Sequence, residues 1–79
     1  MKYAGRIIAD PEIMHGKPVV KGTHIPVYIV LSLLAGGLGS KDVLDEYPDL
    51  TREDVLACLE YAAELAQDEV GILETEEVR

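Results

Sequence analysis

The stretch that begins at Leu50 constrains the fold most, because it combines a helix start signal with a long apolar period. Thr51 is a typical N-cap residue, and Asp54, three positions later, can answer it in a variant of the capping box. Leu50, just before the cap, can pack on Val55 and fix the entry of the chain. The sequence therefore predicts a helix that starts at Thr51.

Apolar residues recur along this helix at spacings of three and four, which predicts a single buried stripe. The stripe comprises Val55, Leu59, Ala62 and Ala66, widened by Leu56 and Ala63. The pattern runs to Asp68 or Val70, and Gly71 is the predicted stop. Residues 71–79 hold too few apolar side chains to pack, so they are predicted to form a loose acidic tail.

A first, strongly apolar helix is predicted over the segment that Pro26 opens. Pro26 suits the first helical position, the run Val27 to Leu34 has only two polar interruptions, and Gly36 can end it. A helix apolar on nearly every side needs burial on nearly every side, which one small domain cannot supply. Its excess face is therefore a predicted dimer or partner interface.

A second short helix is predicted between the two. It opens at Gly39 and Ser40 and is ended by Pro48. Its predicted inward side consists of Leu38, Val43, Leu44 and Tyr47.

Residues 1–25 are rich in glycine and proline and are predicted to form a β arm with loops. Residues 6–9 and 18–21 can each form a short strand. Because a two-stranded ribbon is marginal in water, the arm needs the helices or a second copy of the chain to complete a sheet. With three helices over residues 26–70, the prediction is one mainly α domain spanning residues 1–79, a trihelical helix-turn-helix with a short β arm.

Charge is divided unevenly along the chain, whose net charge is −8. Residues 1–40 carry four basic and two acidic side chains, whereas residues 41–79 carry three and thirteen. Such an acidic half disfavours nucleic acid, whose affinity comes mainly from Lys and Arg, and favours a basic protein surface. A single cysteine and the lack of an apolar leader or span predict a cytoplasmic protein without membrane contact.

Four blocks of the sequence stand in a recognisable order: IADP at 8–11, GKPVVKGTHIPV at 16–27, DEYPDLTREDV at 45–55 and LEYA at 59–62. Through them the chain resembles, from residue 7 to about residue 66, the small prokaryotic family numbered 433 among the domains of unknown function (DUF433). The resemblance implies a homeodomain-like helix-turn-helix fold and no catalysis. It also implies a role like that of VapB-type antitoxins, which are encoded beside toxins of the PIN-like ribonuclease class.

Four side chains are candidate DNA contacts: Lys17, Lys21, His24 and Arg52. The second helix of a helix-turn-helix enters the major groove with its N-terminal residues, and of these only Arg52 suits DNA. The carboxylates beside it repel phosphate, so DNA binding by this chain alone is predicted to be weak. His24 stands at a position where the DUF433 family usually has Arg. This substitution further weakens the expected binding of anions by this loop.

The two lysines of the arm are bracketed by Gly16 and Gly22, and this pattern has two interpretations. Glycines with adjacent lysines can form a backbone nest that receives a phosphate. Alternatively the glycines serve the hairpin, and the lysines are solvated or touch a DNA backbone. The second interpretation is favoured.

The third helix carries an acidic stripe of residues four apart: Glu60, Glu64 and Asp68. This stripe is a candidate partner-binding surface for a basic protein, since complementary charge speeds association. The alternative is a solvated face that keeps a small protein soluble.

Catalytic, metal and cofactor sites are not predicted. His15, His24 and Cys58 show no i, i+3 or i, i+4 spacing, and Cys58 lies in the apolar part of a helix, where a small core residue is expected. No nucleophile with a base and an orienting group can be named, so the chain is predicted not to be an enzyme.

These observations predict an antitoxin-like binding module that forms a homodimer through its arm or first helix. It would neutralise a basic PIN-like ribonuclease toxin by protein–protein contact and possess a helix-turn-helix for autoregulation. The alternative is a stand-alone DNA-binding transcriptional regulator.

Overall fold

The computed structural model describes residues 5–68 of the chain. Three short strands come first: β1 (Ile7–Ile8), β2 (Val19–Val20) and β3 (Ile25–Pro26). Three helices follow: α1 (Val27–Ala35), α2 (Ser40–Glu46) and α3 (Arg52–Asp68). The prediction of a mainly helical domain with an N-terminal β arm is confirmed. The predicted helix end at Val70, the stop at Gly71 and the tail over 71–79 lie outside the described residues.

The arm is a three-stranded antiparallel sheet in the order β1-β2-β3, not the predicted two-stranded ribbon. Val20 of the central strand lies opposite Ile7 on one side and Ile25 on the other. Sequence reasoning missed β3 because its two residues run directly into α1. The described part of the chain therefore completes its own sheet without a second copy.

The turn between β2 and β3 is fixed by its own side chain and backbone. The Thr23 hydroxyl donates to the Val20 carbonyl oxygen at 2.8 Å, and the Ile25 N–H donates to Thr23 Oγ1 at 3.0 Å. Gly22 has a φ of 86°, a left-handed conformation that glycine adopts without steric cost. Gly22 thus serves the hairpin, as the favoured interpretation expected, whereas Gly16 does not: it ends a short 3-10 helix, Met14–Gly16, between β1 and β2.

The start of α1 differs from the prediction by one residue. Pro26 has an extended backbone (φ −65°, ψ 142°) and is the N-cap, so the first helical residue is Val27. Pro26 lies in the edge strand β3, where its missing N–H breaks no hydrogen bond of the sheet. The next residue, Val27, donates its N–H to the Pro18 carbonyl oxygen at 2.9 Å.

The helix boundaries that follow are the predicted ones. Gly36 and Gly37 end α1, with the Gly37 N–H donating to Leu34 at 3.0 Å. Gly39 is the N-cap of α2 and has no side chain that could accept a hydrogen bond from the helix. Instead, the Asp42 side chain accepts one from the N-cap: the Gly39 N–H donates to Asp42 Oδ2 at 3.0 Å.

The cap predicted for α3 is confirmed. The Thr51 N–H donates to Asp54 Oδ2 at 2.9 Å, and the Asp54 N–H donates to Thr51 Oγ1 at 3.1 Å. Leu50 and Val55 are both buried in the same cluster, as the predicted packing across the cap requires. This reciprocal pair fixes where α3 starts and how it is oriented.

The core lies between the sheet and the three helices and is built mainly from valine. Its buried members are Val20, Val27, Val30, Val43, Leu50, Val55 and Cys58. The predicted inward side of α2 is confirmed, since Val43 is fully buried and Leu38, Leu44 and Tyr47 pack against the cluster.

The buried stripe predicted for α3 is wrong in its direction. Leu56 and Leu59 are 50% and 42% exposed, and Ala63 and Ala66 are exposed as well. The inward side instead carries Asp54, Val55, Ala57 and Cys58, a rotation of roughly 100°, or one residue, about the helix axis. Small side chains at 57 and 58 let the helix approach the core, and the inward Asp54 is acceptable because it is paired.

Residues 5–68 include no helix whose length and apolar content would let it cross a bilayer.

Candidate functional site

The N-terminus of α3 is tied to the sheet by an ion pair. Arg6, just before β1, donates from Nη1 to Asp54 Oδ1 at 3.0 Å. Asp54 is only 7% exposed, while its other carboxylate oxygen accepts the Thr51 N–H. One carboxylate therefore both caps α3 and anchors the arm, and it is turned away from solvent.

A groove of about 750 Å³ lies along α3 on the side turned away from the core. We call this surface the α3 outer face, and it consists of Leu56, Leu59 and Ala63 with Glu53, Glu60, Ala57 and Arg6 at its borders. The two leucines are about half-exposed. A small protein gains nothing in its own fold from such a row, so exposed leucines in a groove are typical of an interaction site.

Glu60 is the notable carboxylate of this groove. The residue is half-buried, and its Oε1 is shielded from solvent without accepting a hydrogen bond from the part of the chain that the structure describes. A shielded carboxylate oxygen without a donor is costly. A lysine or arginine of a binding partner would satisfy it.

The other members of the predicted acidic stripe continue along α3. Glu64, one turn after Glu60, is half-buried and already takes part in an interaction within the chain. Asp68 is the last residue of α3, and its side chain lies outside the described part of the structure. Of the three predicted partner-binding residues, the structure therefore places Glu60 directly in the groove.

The predicted DNA contacts are spread over two regions. Lys21 follows β2 and Lys17 precedes it, so about 13 Å of extended chain separates them. The Lys21 N–H donates to the Arg6 carbonyl oxygen at 2.7 Å, which brings Lys21 to the sheet end next to the Arg6–Asp54 pair. Lys17 instead lies over the Tyr28 ring, 5.6 Å from its centroid.

The remaining two DNA candidates are exposed. Arg52 opens α3, and His24 lies in the turn before β3 with a φ of 60°. Because Arg6 pairs with Asp54, the start of α3 presents Arg52 with one exposed neighbouring carboxylate, Glu53, instead of the two that the sequence suggested.

The backbone around the arm lysines leaves few donors for a phosphate. The Lys17 N–H donates to Met14 and the Gly16 N–H to Ile13. The Thr23 N–H donates to Val20 at 3.1 Å. A nest needs such N–H groups to converge on an anion, so the geometry favours the hairpin interpretation over a phosphate site.

A second groove, of about 530 Å³, lies between α1 and α3. We call it the tyrosine face, and it consists of Lys17, Pro18, Val27, Tyr28, Leu31, Tyr61 and Leu65. Tyr28 and Leu65 are each about half-exposed. The chain covers more of α1 than predicted: Leu31, Leu33 and Leu34 pack against the core, and the exposed side of the helix carries Tyr28, Ser32 and Ala35. What remains of the predicted apolar face is the part around Tyr28, to which α3 contributes.

Cys58 is fully buried, which matches its predicted place in the core. Burial, with a further contribution from the charge of Asp54, raises the pKa of its thiol from 9.0 to about 11. The thiol therefore stays protonated and unreactive at neutral pH. Among residues 5–68, no three side chains of His, Cys, Asp or Glu are grouped so that they could hold a metal ion.

Comparison with known proteins agrees with the blocks quoted above. The model of the family of proteins of unknown function DUF433 matches residues 7–62, which is most of the chain. The chain belongs to the DUF433 family. This assignment fixes the relatives of the chain and leaves its activity to be argued from its surfaces.

Two relatives show how far the similarity extends. Uncharacterized protein y4eO of Sinorhizobium fredii (strain NBRC 101917 / NGR234) is 36% identical over 56 residues, which is 71% of this chain and 25% of that protein. The crystal structure of a DUF433 member from Anabaena variabilis ATCC 29413 superposes with a TM-score of 0.73 at 29% identity, covering 78% of this chain and 61% of that chain. This chain thus spans about a quarter of the first relative and less than two thirds of the second.

Sequence reasoning missed two features of these surfaces: the role of Arg6, and the exposure of Leu56 and Leu59. The second had a signal, because Val55, Cys58 and Ala62 repeat at i, i+3, i+7 and so do Leu56, Leu59 and Ala63. A single core can bury only one of two such stripes, so the other stripe is left exposed.

Proposed function

We propose that this DUF433 domain is an antitoxin-like binding module that neutralises a basic PIN-like ribonuclease toxin by protein–protein contact through the α3 outer face. The observation that carries the proposal is the groove in which exposed Leu56 and Leu59 adjoin Glu60, whose shielded Oε1 has no donor among the described residues. Apolar contact area beside an unsatisfied carboxylate matches a partner that brings both an apolar side chain and a cation.

The charge of the chain supports a basic partner. Residues 41–79, which include α3, carry thirteen acidic and three basic side chains. Such a field steers a positive surface toward the groove and repels acidic proteins. A ribonuclease has a polyanionic substrate and needs a basic surface to hold it, so α3 can occupy the surface that RNA would use.

The class of toxin is proposed from the family resemblance. The chemistry of the contact is proposed from the residues of the groove. In this proposal the chain binds and has no catalytic role. It acts in the cytoplasm, where a ribonuclease meets its RNA.

The test uses the PIN-like protein encoded beside the gene of this chain. Increasing amounts of the full chain are added to that protein while cleavage of an RNA substrate is followed. We expect cleavage to stop near an equimolar ratio. Full cleavage with a large excess of the chain, or the absence of such a neighbouring gene, would contradict the proposal.

The second candidate function is DNA binding by a transcriptional regulator, with α2 and α3 as a helix-turn-helix. One observation favours it: Arg6 neutralises Asp54, so Arg52 leads α3 with one exposed carboxylate at its side. Lys21 and His24 follow β2 at the sheet end that Arg6 joins to α3, and Lys17 lies apart from them. Few cations and the acidic second half predict weak binding. This function is the alternative to toxin neutralisation, and the two can also coexist in one protein as autoregulation.

A further inference from the structure

We infer that the tyrosine face is a homodimer interface, in which Tyr28 and Leu31 of one chain pack against Tyr61 and Leu65 of a second copy. The inference concerns a different surface from the proposed toxin contact. It also decides between the two dimer elements that the sequence left open, the arm and the first helix.

Charge identifies the occupant of this face. A protein with a net charge of −8 repels its own copies wherever carboxylates face each other. The seven residues that line the tyrosine face include no Asp or Glu, and their one charged group is the ammonium of Lys17. The α3 outer face, by contrast, is bordered by Glu53 and Glu60. A second copy can therefore approach the tyrosine face, whereas the outer face suits a partner of opposite charge.

The composition of the groove fits a stable interface. Tyrosine and leucine provide contact area, and tyrosine rings are enriched at the centres of protein interfaces. The Lys17 ammonium lies over the Tyr28 ring, 5.6 Å from its centroid, so the one charge of this face is held by a cation–π contact.

The sheet offers a weaker alternative. Its central strand is already paired on both sides, and each edge strand in the described part of the chain is only two residues long. An edge of two residues supplies few main-chain hydrogen bonds to a second copy. The two helices that line the tyrosine face instead supply apolar and aromatic side chains from about one turn each, Val27, Tyr28 and Leu31 of α1 and Tyr61 and Leu65 of α3.

The helix α3 provides a matched pair of variants. Leu65 in the tyrosine face and Leu56 in the outer face are 51% and 50% exposed. They are nine residues apart, which places them on opposite sides of the helix. Leu65→Gln and Leu56→Gln thus remove the same side chain, at the same exposure, without changing the charge.

The experiment is sedimentation equilibrium of the full chain at micromolar concentrations, at low and high salt. We expect the wild type and L56Q to have twice the chain mass of 8.6 kDa, and the dimer to strengthen with salt as like charges are screened. L65Q should raise the dimer dissociation constant by about tenfold or more, since a two-fold interface loses the side chain twice. Tyr28→Ser on α1 should also raise the dimer dissociation constant. If L65Q unfolds, Y28S is the variant that tests the interface.

Several results would overturn the inference. A wild-type chain that stays monomeric at both salt concentrations excludes the dimer. A dimer that folded L65Q and Y28S leave intact, or that L56Q weakens as much as L65Q, excludes this face. None of these results bears on toxin neutralisation, which is measured separately by RNA cleavage and weakens with salt.

Discussion

Arg6 and Asp54 form a 3.0 Å ion pair across 48 residues of sequence, and the same carboxylate caps α3. The Arg6 side chain is 43% exposed and that of Asp54 10% exposed, so solvent screens the pair from one side. The ion pair stabilises the fold in two ways. It neutralises a carboxylate that faces inward, and it holds the arm against the start of the longest helix.

Replacement of Asp54 by alanine removes both the cap and the ion pair. We expect the free energy of unfolding to fall by about 2 kcal/mol, of which roughly half belongs to the cap. Urea unfolding followed by circular dichroism measures the loss. Asp45→Ala is the control, because Asp45 forms an exposed pair with Lys41 at 3.5 Å and its loss should cost less than about 0.5 kcal/mol. Equal losses in the two variants would contradict the double role of Asp54.

Neutralising the acidic stripe separates partner binding from solubility. The triple variant Glu60→Gln, Glu64→Gln, Asp68→Asn keeps the side-chain shapes and removes repulsion between residues four apart, worth about 0.2–0.5 kcal/mol per pair. Its thermal midpoint should change little, because the relieved repulsion is offset by the interaction that Glu64 makes within the chain. Association with the PIN-like toxin should become slower and the complex weaker, with a loss that shrinks as salt rises. Unchanged affinity at low salt would leave the stripe as a solvated face.

The exposed leucines of the outer face should carry the apolar part of the toxin contact. In the double variant Leu56→Ser, Leu59→Ser, each side chain gives up about 1 kcal/mol of burial against the toxin, and affinity should fall about tenfold or more. Stability of the chain alone should change little, since both side chains are already half-exposed. Calorimetric titration measures the affinity, with Met14→Ser as the control, because Met14 is 40% exposed and lines neither face. A control that weakens toxin binding equally would place the contact elsewhere.

DNA binding by the chain alone should be weak and strongly dependent on salt. The expected contacts are few, and the DNA affinity conferred by a few phosphate contacts falls steeply between low salt and about 200 mM. Arg52→Ala should reduce any mobility shift of operator DNA, whereas Lys17→Ala, on the other side of the arm, should reduce it less. A shift that persists at nanomolar protein and about 200 mM salt would show that the basic surface is larger than inferred.

The buried thiol predicts how stability changes at alkaline pH. Burial raises the pKa of Cys58 from 9.0 to about 11, so the folded chain holds this proton more tightly than the unfolded chain. The contribution is fully present below pH 9.0 and is lost as the pH rises toward about 11. The difference in unfolding free energy between wild type and Cys58→Ala should therefore shrink over that range. Urea unfolding at several pH values measures it, and a constant difference would contradict the assignment.

The sequence predicted those parts of the fold that depend on neighbouring residues. Thr51 and Asp54 identify the start of α3 because a cap is made by residues three apart. Gly36 and Pro48 end helices for reasons that act within one turn. The short strand β3 was missed because Ile25 and Pro26 carry too little local pattern to distinguish a strand end from a helix start.

The direction of α3 and the pairing of Arg6 depend on distant parts of the chain. Leucines and alanines on several sides of α3 allow more than one buried stripe, and the choice is made by what packs against it. In the structure Val55 and Cys58 pack into the core and Asp54 pairs with Arg6 of the arm, and with this orientation Leu56 and Leu59 lie outside. The acidic stripe was visible from spacing alone, but the shielding of Glu60 depends on the folded groove.

The long-range pair also orders events during synthesis. Arg6 leaves the ribosome 48 residues before Asp54, so the first strand waits, with its anchor missing, until nearly all of α3's first turn has been made. During that interval β2 can pair with β3 and β1 with β2, but the ion pair that ties the arm to α3 cannot form. The arm can therefore be joined to α3 only once the helix that bears both interaction faces has begun to be made.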